Sequence, residues 1–98
     1  MTNKDFELGD VLTITTGKLV SKRMMDGVYD ILNYMTGCNL YTHQLPEASN
    51  KCRPYLLQQH PQLKSIDSDI VSKDNVWQWL DEQIKVYGEK LPVNPIDI

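Results

Sequence analysis

Two cysteines in 98 residues are too few for a disulfide framework, and reduced thiols are the expectation. No stretch approaches the ~18–20 consecutive apolar residues that a bilayer span needs. The opening residues, Met1-Thr2-Asn3-Lys4-Asp5-Phe6-Glu7, lack an apolar h-region, so export through a signal peptide is not expected and a cytoplasmic setting is. Gly-x-Ser-x-Gly, His-Glu-x-x-His and a paired-carboxylate motif are all missing. There is no internal repeat and no low-complexity tract. A surplus of basic charge is missing too: ten Lys and Arg stand against thirteen Asp and Glu, a net charge of −3. With a pI near 5.2, a general coating of nucleic-acid backbones is excluded, because that binding needs Lys and Arg to neutralise phosphates.

What remains is ordinary globular composition, 41% hydrophobic and 23% charged, with a mean hydropathy of −0.42. The length fits a single domain over residues 1–98. The charge is unevenly spread. Residues 1–53 balance, six basic against six acidic, whereas residues 54–98 carry four Lys against seven acids.

Periodicity points to a mainly α fold of four or five short helices. Leu8, Val11, Leu12 and Thr15 share a helical face that Gly17 would stop, although Val11, Thr13, Ile14 and Thr15 also favour a strand. A second helix is expected over Lys22–Thr36, capped by Ser21 and ended by Gly37, with Met24, Val28, Ile31, Leu32 and Met35 facing the core. Pro54 should divide the third segment into helices over Pro46–Cys52 and Pro54–Gln59. Residues 62–72 read as a loop. Ser72 or Asp74 would cap a last helix, residues 74–87, and residues 89–98 as an extended tail. A short strand is expected near residues 18–20.

The last helix suggests two apolar stripes: Trp77, Leu80, Ile84 and Tyr87 toward the core, and Trp79 with Val86 facing away. An outward Trp79–Val86 stripe reads either as cover for the core's edge or as a partner surface. The second reading predicts a homodimer, the commonest closed oligomer.

Cys38, His43, Cys52 and His60 follow a C-x4-H-x8-C-x7-H spacing. Structural zinc sites present their ligands in close pairs, which this spacing lacks, so no metal and no cofactor are expected. Thr15-Thr16-Gly17-Lys18 lacks the glycine and the strand–loop–helix frame of a phosphate loop. Lys18, Lys22 and Arg23 could nonetheless form an anion site beside the N-terminus of the second helix, and their removal should then leave the fold intact. His43, Gln44, Arg53 and His60 are further candidate ligand-binding residues, since His and Gln at helix ends can reach out to hydrogen-bond a ligand. The plainer reading is that these side chains fix helix ends and loops.

LGDVLTITTG at residues 8–17, GVYDILNYMTG at 27–37, THQLP at 42–46 and LLQQHPQL at 56–63 together resemble a family of small proteins of unknown function encoded by tailed phages and prophages. The resemblance covers residues 6–63 and leaves out the Trp-bearing end. It implies an accessory phage gene of the kind that counters host defence, and it transfers no catalytic residue. The leading expectation is therefore a non-enzymatic binding protein that inhibits a host defence component, such as a CRISPR effector, in the host cytoplasm. An oligomeric sponge for a nucleotide-type immune signal is the second reading, and a small enzyme with Cys or His chemistry the third.

Overall fold

The computed structural model describes residues 3–66 and 68–96. At its centre is α1 (Leu8–Thr16), buried along nearly its whole length from Leu8 to Ile14. Its β-branched residues stay helical because their hydroxyls bond back to the preceding turn. Thr13 Oγ1 donates to the Gly9 carbonyl at 2.7 Å, and Thr16 Oγ1 to that of Leu12 at 2.6 Å. Gly17 ends the helix at φ 76°, its N–H bonding the Thr13 carbonyl. Gly9 is required by a close approach, since a Cβ there would stand 2.9 Å from the Val20 carbonyl oxygen.

Residues 17–24 form a connection and not a strand at 18–20. Within it Val20 is buried, and its N–H donates to Thr13 Oγ1 at 3.1 Å. The second helix, α2 (Met25–Thr36), starts three residues later than expected. Ser21 does not cap it. Its hydroxyl is buried against Asp10, and its carbonyl accepts the Met24 N–H at 3.1 Å in a turn. Val28, Ile31, Leu32 and Met35 face the core, but Met24 lies outside the helix and is exposed.

A single helix, α3 (Leu45–Gln59), runs through Pro54 instead of dividing there. Asn50, whose carbonyl would have received the missing N–H, and Pro54 are both exposed, so water can satisfy the freed acceptor. On the opposite side Leu45, Ala48, Cys52 and Leu56 are buried at spacings of three and four. A 3₁₀ turn follows over Pro61–Ser65, overlapping the start of the segment, residues 62–72, expected to be loop.

The last helix, α4 (Val76–Tyr87), is rotated relative to the expected stripe. Val76, Trp79, Leu80, Gln83, Ile84 and Tyr87 face inward or lie half-buried, while Trp77 is partly exposed. Trp79 is a core residue, as its reading as cover for the core has it and against its reading as a partner surface. Of the expected Trp79–Val86 stripe only Val86 is exposed, so the stripe that suggested a dimer is not formed.

The tail after α4 is also a core element. β1 (Lys4–Glu7) pairs antiparallel with β2 (Lys90–Val93), with Phe6 opposite Leu91 and Asp5 opposite Pro92. Leu91, Val93 and Ile96 are buried, so the Pro-interrupted tail closes the core; Ile98 lies outside the described residues. Pro92 breaks no ladder bond, because its carbonyl turns away from β1 and accepts the His60 Nε2–H at 2.7 Å. Gln59 and Asn94 exchange two hydrogen bonds beside it. No helix among the described residues is long and apolar enough to cross a membrane.

Candidate functional site

The three cations expected to share an anion have separate partners. Lys18 Nζ donates to the Ser68 carbonyl, and Lys22 pairs with Asp81 at 3.3 Å on the surface. Arg23 lies among three carboxylates: Asp10, which it contacts through both Nε and Nη2, Asp30 at 3.1 Å and Glu7 at 3.2 Å. The Asp10 side chain is only 1% exposed, and Arg23 is 37% exposed. The hydrogen bond from Arg23 to Asp10 raises the guanidinium pKa above its ordinary value, burial opposes this, and Asp30 adds to it. Arg23 is thus a structural cation that ties the 17–24 connection to α1, not a free anion ligand.

The other candidates hold the framework together. His43 is exposed and stacks on Tyr41, with ring centroids 6.0 Å apart. Gln44 Oε1 accepts the Tyr41 N–H at 2.8 Å. His60 is buried against Pro92, as described above. Arg53 Nε donates at 2.8 Å to the Ile14 carbonyl, one of the acceptors left over at the C-terminus of α1, where a cation is also favoured by the helix dipole. Cys52 is a core residue whose burial pushes its thiol pKa up to about 11, and Cys38 is exposed. No group of three or more His, Cys, Asp or Glu among the described residues is placed to hold a metal.

Of the expected ligand-binding residues, only Lys18 and Arg53 lie on the surface best shaped for binding. The latch at Arg23 leaves Leu19, Met24 and Met25 outward, and the rotation of α4 leaves Trp77 beside them; their relative exposures run from 40 to 49%. Leu19, Met24, Val71, Val76 and Trp77 line a groove of about 530 Å³, with Lys18 and Lys73 on its rim. Leu19 also belongs to an adjoining hollow of about 500 Å³, floored by Val28, Leu45 and Pro46 and bounded by Arg53. Each falls within the ~300–1,000 Å³ typical of ligand clefts. Among the described residues, three cations and no Asp or Glu line these two hollows, which share Leu19, on a chain whose net charge is −3. A smaller hollow of about 200 Å³, between β1 and α4, has the balanced rim of Glu7, Lys22, Glu89 and Lys90.

Met24, which lines the groove, is the one non-glycine residue with positive φ among those described (56°, ψ −134°). Such a conformation costs roughly 1–3 kcal/mol and persists where the surroundings impose it. Here the Ser21–Met24 turn and the Arg23–Asp10 pair do so. The signal in the sequence was two apolar pairs, Leu19-Val20 inside a short connection, where polar residues are usual, and Met24-Met25 at its junction with α2.

No curated protein and no solved structure matches this chain. A family model does match it, over residues 6–66: from Phe6 through α1, α2 and α3 to the residue after the 3₁₀ turn, stopping short of α4 and β2. With well over half of its length inside that match, the chain belongs to the family described as a domain of unknown function, DUF7736.

Proposed function

We propose that this chain is a non-enzymatic binding protein that acts by stoichiometric occupation of a protein partner, and that the groove around Leu19, Met24 and Trp77 makes the contact. The observation that carries the reading is the clustering of half-exposed Leu19, Met24 and Trp77 around one groove. Trp anchors and adaptable Met side chains are what protein-binding surfaces use. Exposed apolar surface of this kind marks an interaction site. The target class, a component of host defence met in the host cytoplasm, rests on the resemblance to phage and prophage proteins.

The nucleotide-sponge reading keeps only Lys18 and Arg53 of its ligand set on this surface, since Lys22 and Arg23 are paired with carboxylates and His43 stacks on Tyr41. The test is plaque formation by a defence-sensitive phage on hosts carrying defined defence systems, with the protein supplied in trans. Rescue by the natural chain, lost in a Leu19→Asp/Trp77→Ala variant of unchanged folded content, is the expected result. Rescue that survives in the variant would place the contact elsewhere, and failure against every system would remove the target class.

A further inference from the structure

Resting on that reading, we infer that the occupant of the groove is an acidic amphipathic helix of the partner. Three properties of the surface select it. First, the groove is charged on one side of the ledger only, with Lys18, Lys73 and Arg53 around it and no carboxylate among the described lining residues. None of the three is in an ion pair with a described residue. An approaching segment with carboxylates flanking its apolar side meets complementary charge, and a basic one meets repulsion.

Second, the groove is lined by two connections, residues 17–24 and 71–73, and by the start of α4, with side chains of α1, α2 and α3 around the adjoining hollow, whereas β1 and β2 lie elsewhere, against α1 and the end of α3. An extended segment would find no strand edge to complete its backbone hydrogen bonds. A helix satisfies its own, and presents apolar residues at i, i+3, i+4 and i+7 to a groove. Third, the floor is held in place before any partner arrives. Met24 is fixed in its positive-φ turn, and the connection is tied to buried Asp10, so little ordering cost remains to be met on binding.

The probe is a synthetic peptide of about 18 residues, five helical turns, with Leu and Met at i, i+3, i+4 and i+7 and Glu on the flanks. It is compared with the same peptide carrying Lys for Glu and with an acidic peptide of scrambled apolar order. Fluorescence anisotropy of the labelled peptide against the full chain gives the affinity. The acidic amphipathic peptide is expected to bind. Its affinity should weaken roughly tenfold or more in Trp77→Ala, as for a central anchor. It should weaken in Lys73→Glu, an exposed position that tests charge without disturbing the fold, and also as salt is raised. Unfolding melts on each variant confirm that the fold is kept.

Equal or tighter binding of the lysine peptide overturns the inference while leaving a protein-binding groove in place. Equal binding of the scrambled peptide, or affinity indifferent to Trp77 and Lys73, overturns it as well. So does concentration-dependent dimerisation that the Trp77→Ala change abolishes, since the occupant is then a second copy. Peptide binding without plaque rescue in any host overturns the proposed target class and keeps the helix assignment.

Discussion

Removing Arg23 tests the physical basis of the groove. Its guanidinium is the cationic partner of Asp10, a carboxylate fully enclosed between α1 and α2 and, among the described residues, otherwise bonded only by the Ser21 hydroxyl. In Arg23→Ala that charge stays buried with one hydrogen-bond donor. Breaking a fully buried pair from one side costs about 3–5 kcal/mol. Arg23 is itself 37% exposed, so water entering the vacated space solvates part of the carboxylate, and about 2–3 kcal/mol is the expected loss. Asp10→Asn keeps the shape and one acceptor and leaves Arg23 beside Glu7 and Asp30, so it should cost less, about 1–2 kcal/mol. The double variant should be more stable than the sum of the two losses implies, because an amide no longer needs the cation. Urea unfolding reads this directly as midpoint shifts at constant m, and a melt as roughly 4–8 °C per kcal/mol for a chain of this size. A loss below about 0.5 kcal/mol in Arg23→Ala, or strict additivity, would refute the latch.

Two other perturbations have definite signs. Gly27→Ala, which in a free helix would gain up to about 1 kcal/mol, should destabilise, because the new methyl would collide with the Asp10 carboxylate and the Ser21 hydroxyl; a raised melting temperature would contradict this packing. Cys52 holds its proton more tightly folded than unfolded, so stability should fall as pH rises from about 9 toward about 11, by at most ~1.4 kcal/mol per pH unit. That slope should vanish in Cys52→Ala. At neutral pH a thiol reagent should modify Cys38 at once and Cys52 only on unfolding, and rapid labelling of both would contradict the buried position.

The helices were legible where local rules decide them. Gly17 and Gly37 stop α1 and α2 in the left-handed conformation, as the sequence suggests, because a helix end is a property of a few adjacent residues. The phase of α4 was misread because Gln83 occupies a place on the inward stripe, which made Trp77, Leu80 and Ile84 look like the better run and turned Trp79 outward. Its true phase is set by packing against α1, not by its own composition. The β1–β2 pair was illegible for a related reason: it joins Lys4 to Val93 across the whole chain, and β1 carries a single apolar residue. Pro54 was given too much weight, since an exposed helix face tolerates what a buried one does not. The Asp10–Arg23 pair did leave a trace, a lone carboxylate inside the apolar run Leu8–Ile14, which burial obliges to find a partner.

One basic-rimmed apolar groove is the proposed contact surface. Titrating the isotope-labelled chain with the acidic amphipathic peptide while following backbone amide resonances tests it most directly. Perturbations concentrated in residues 17–25, 45–53 and 71–77 are the predicted result. Perturbations centred instead on the hollow between β1 and α4, or on the Tyr41–His43 stack, would contradict it.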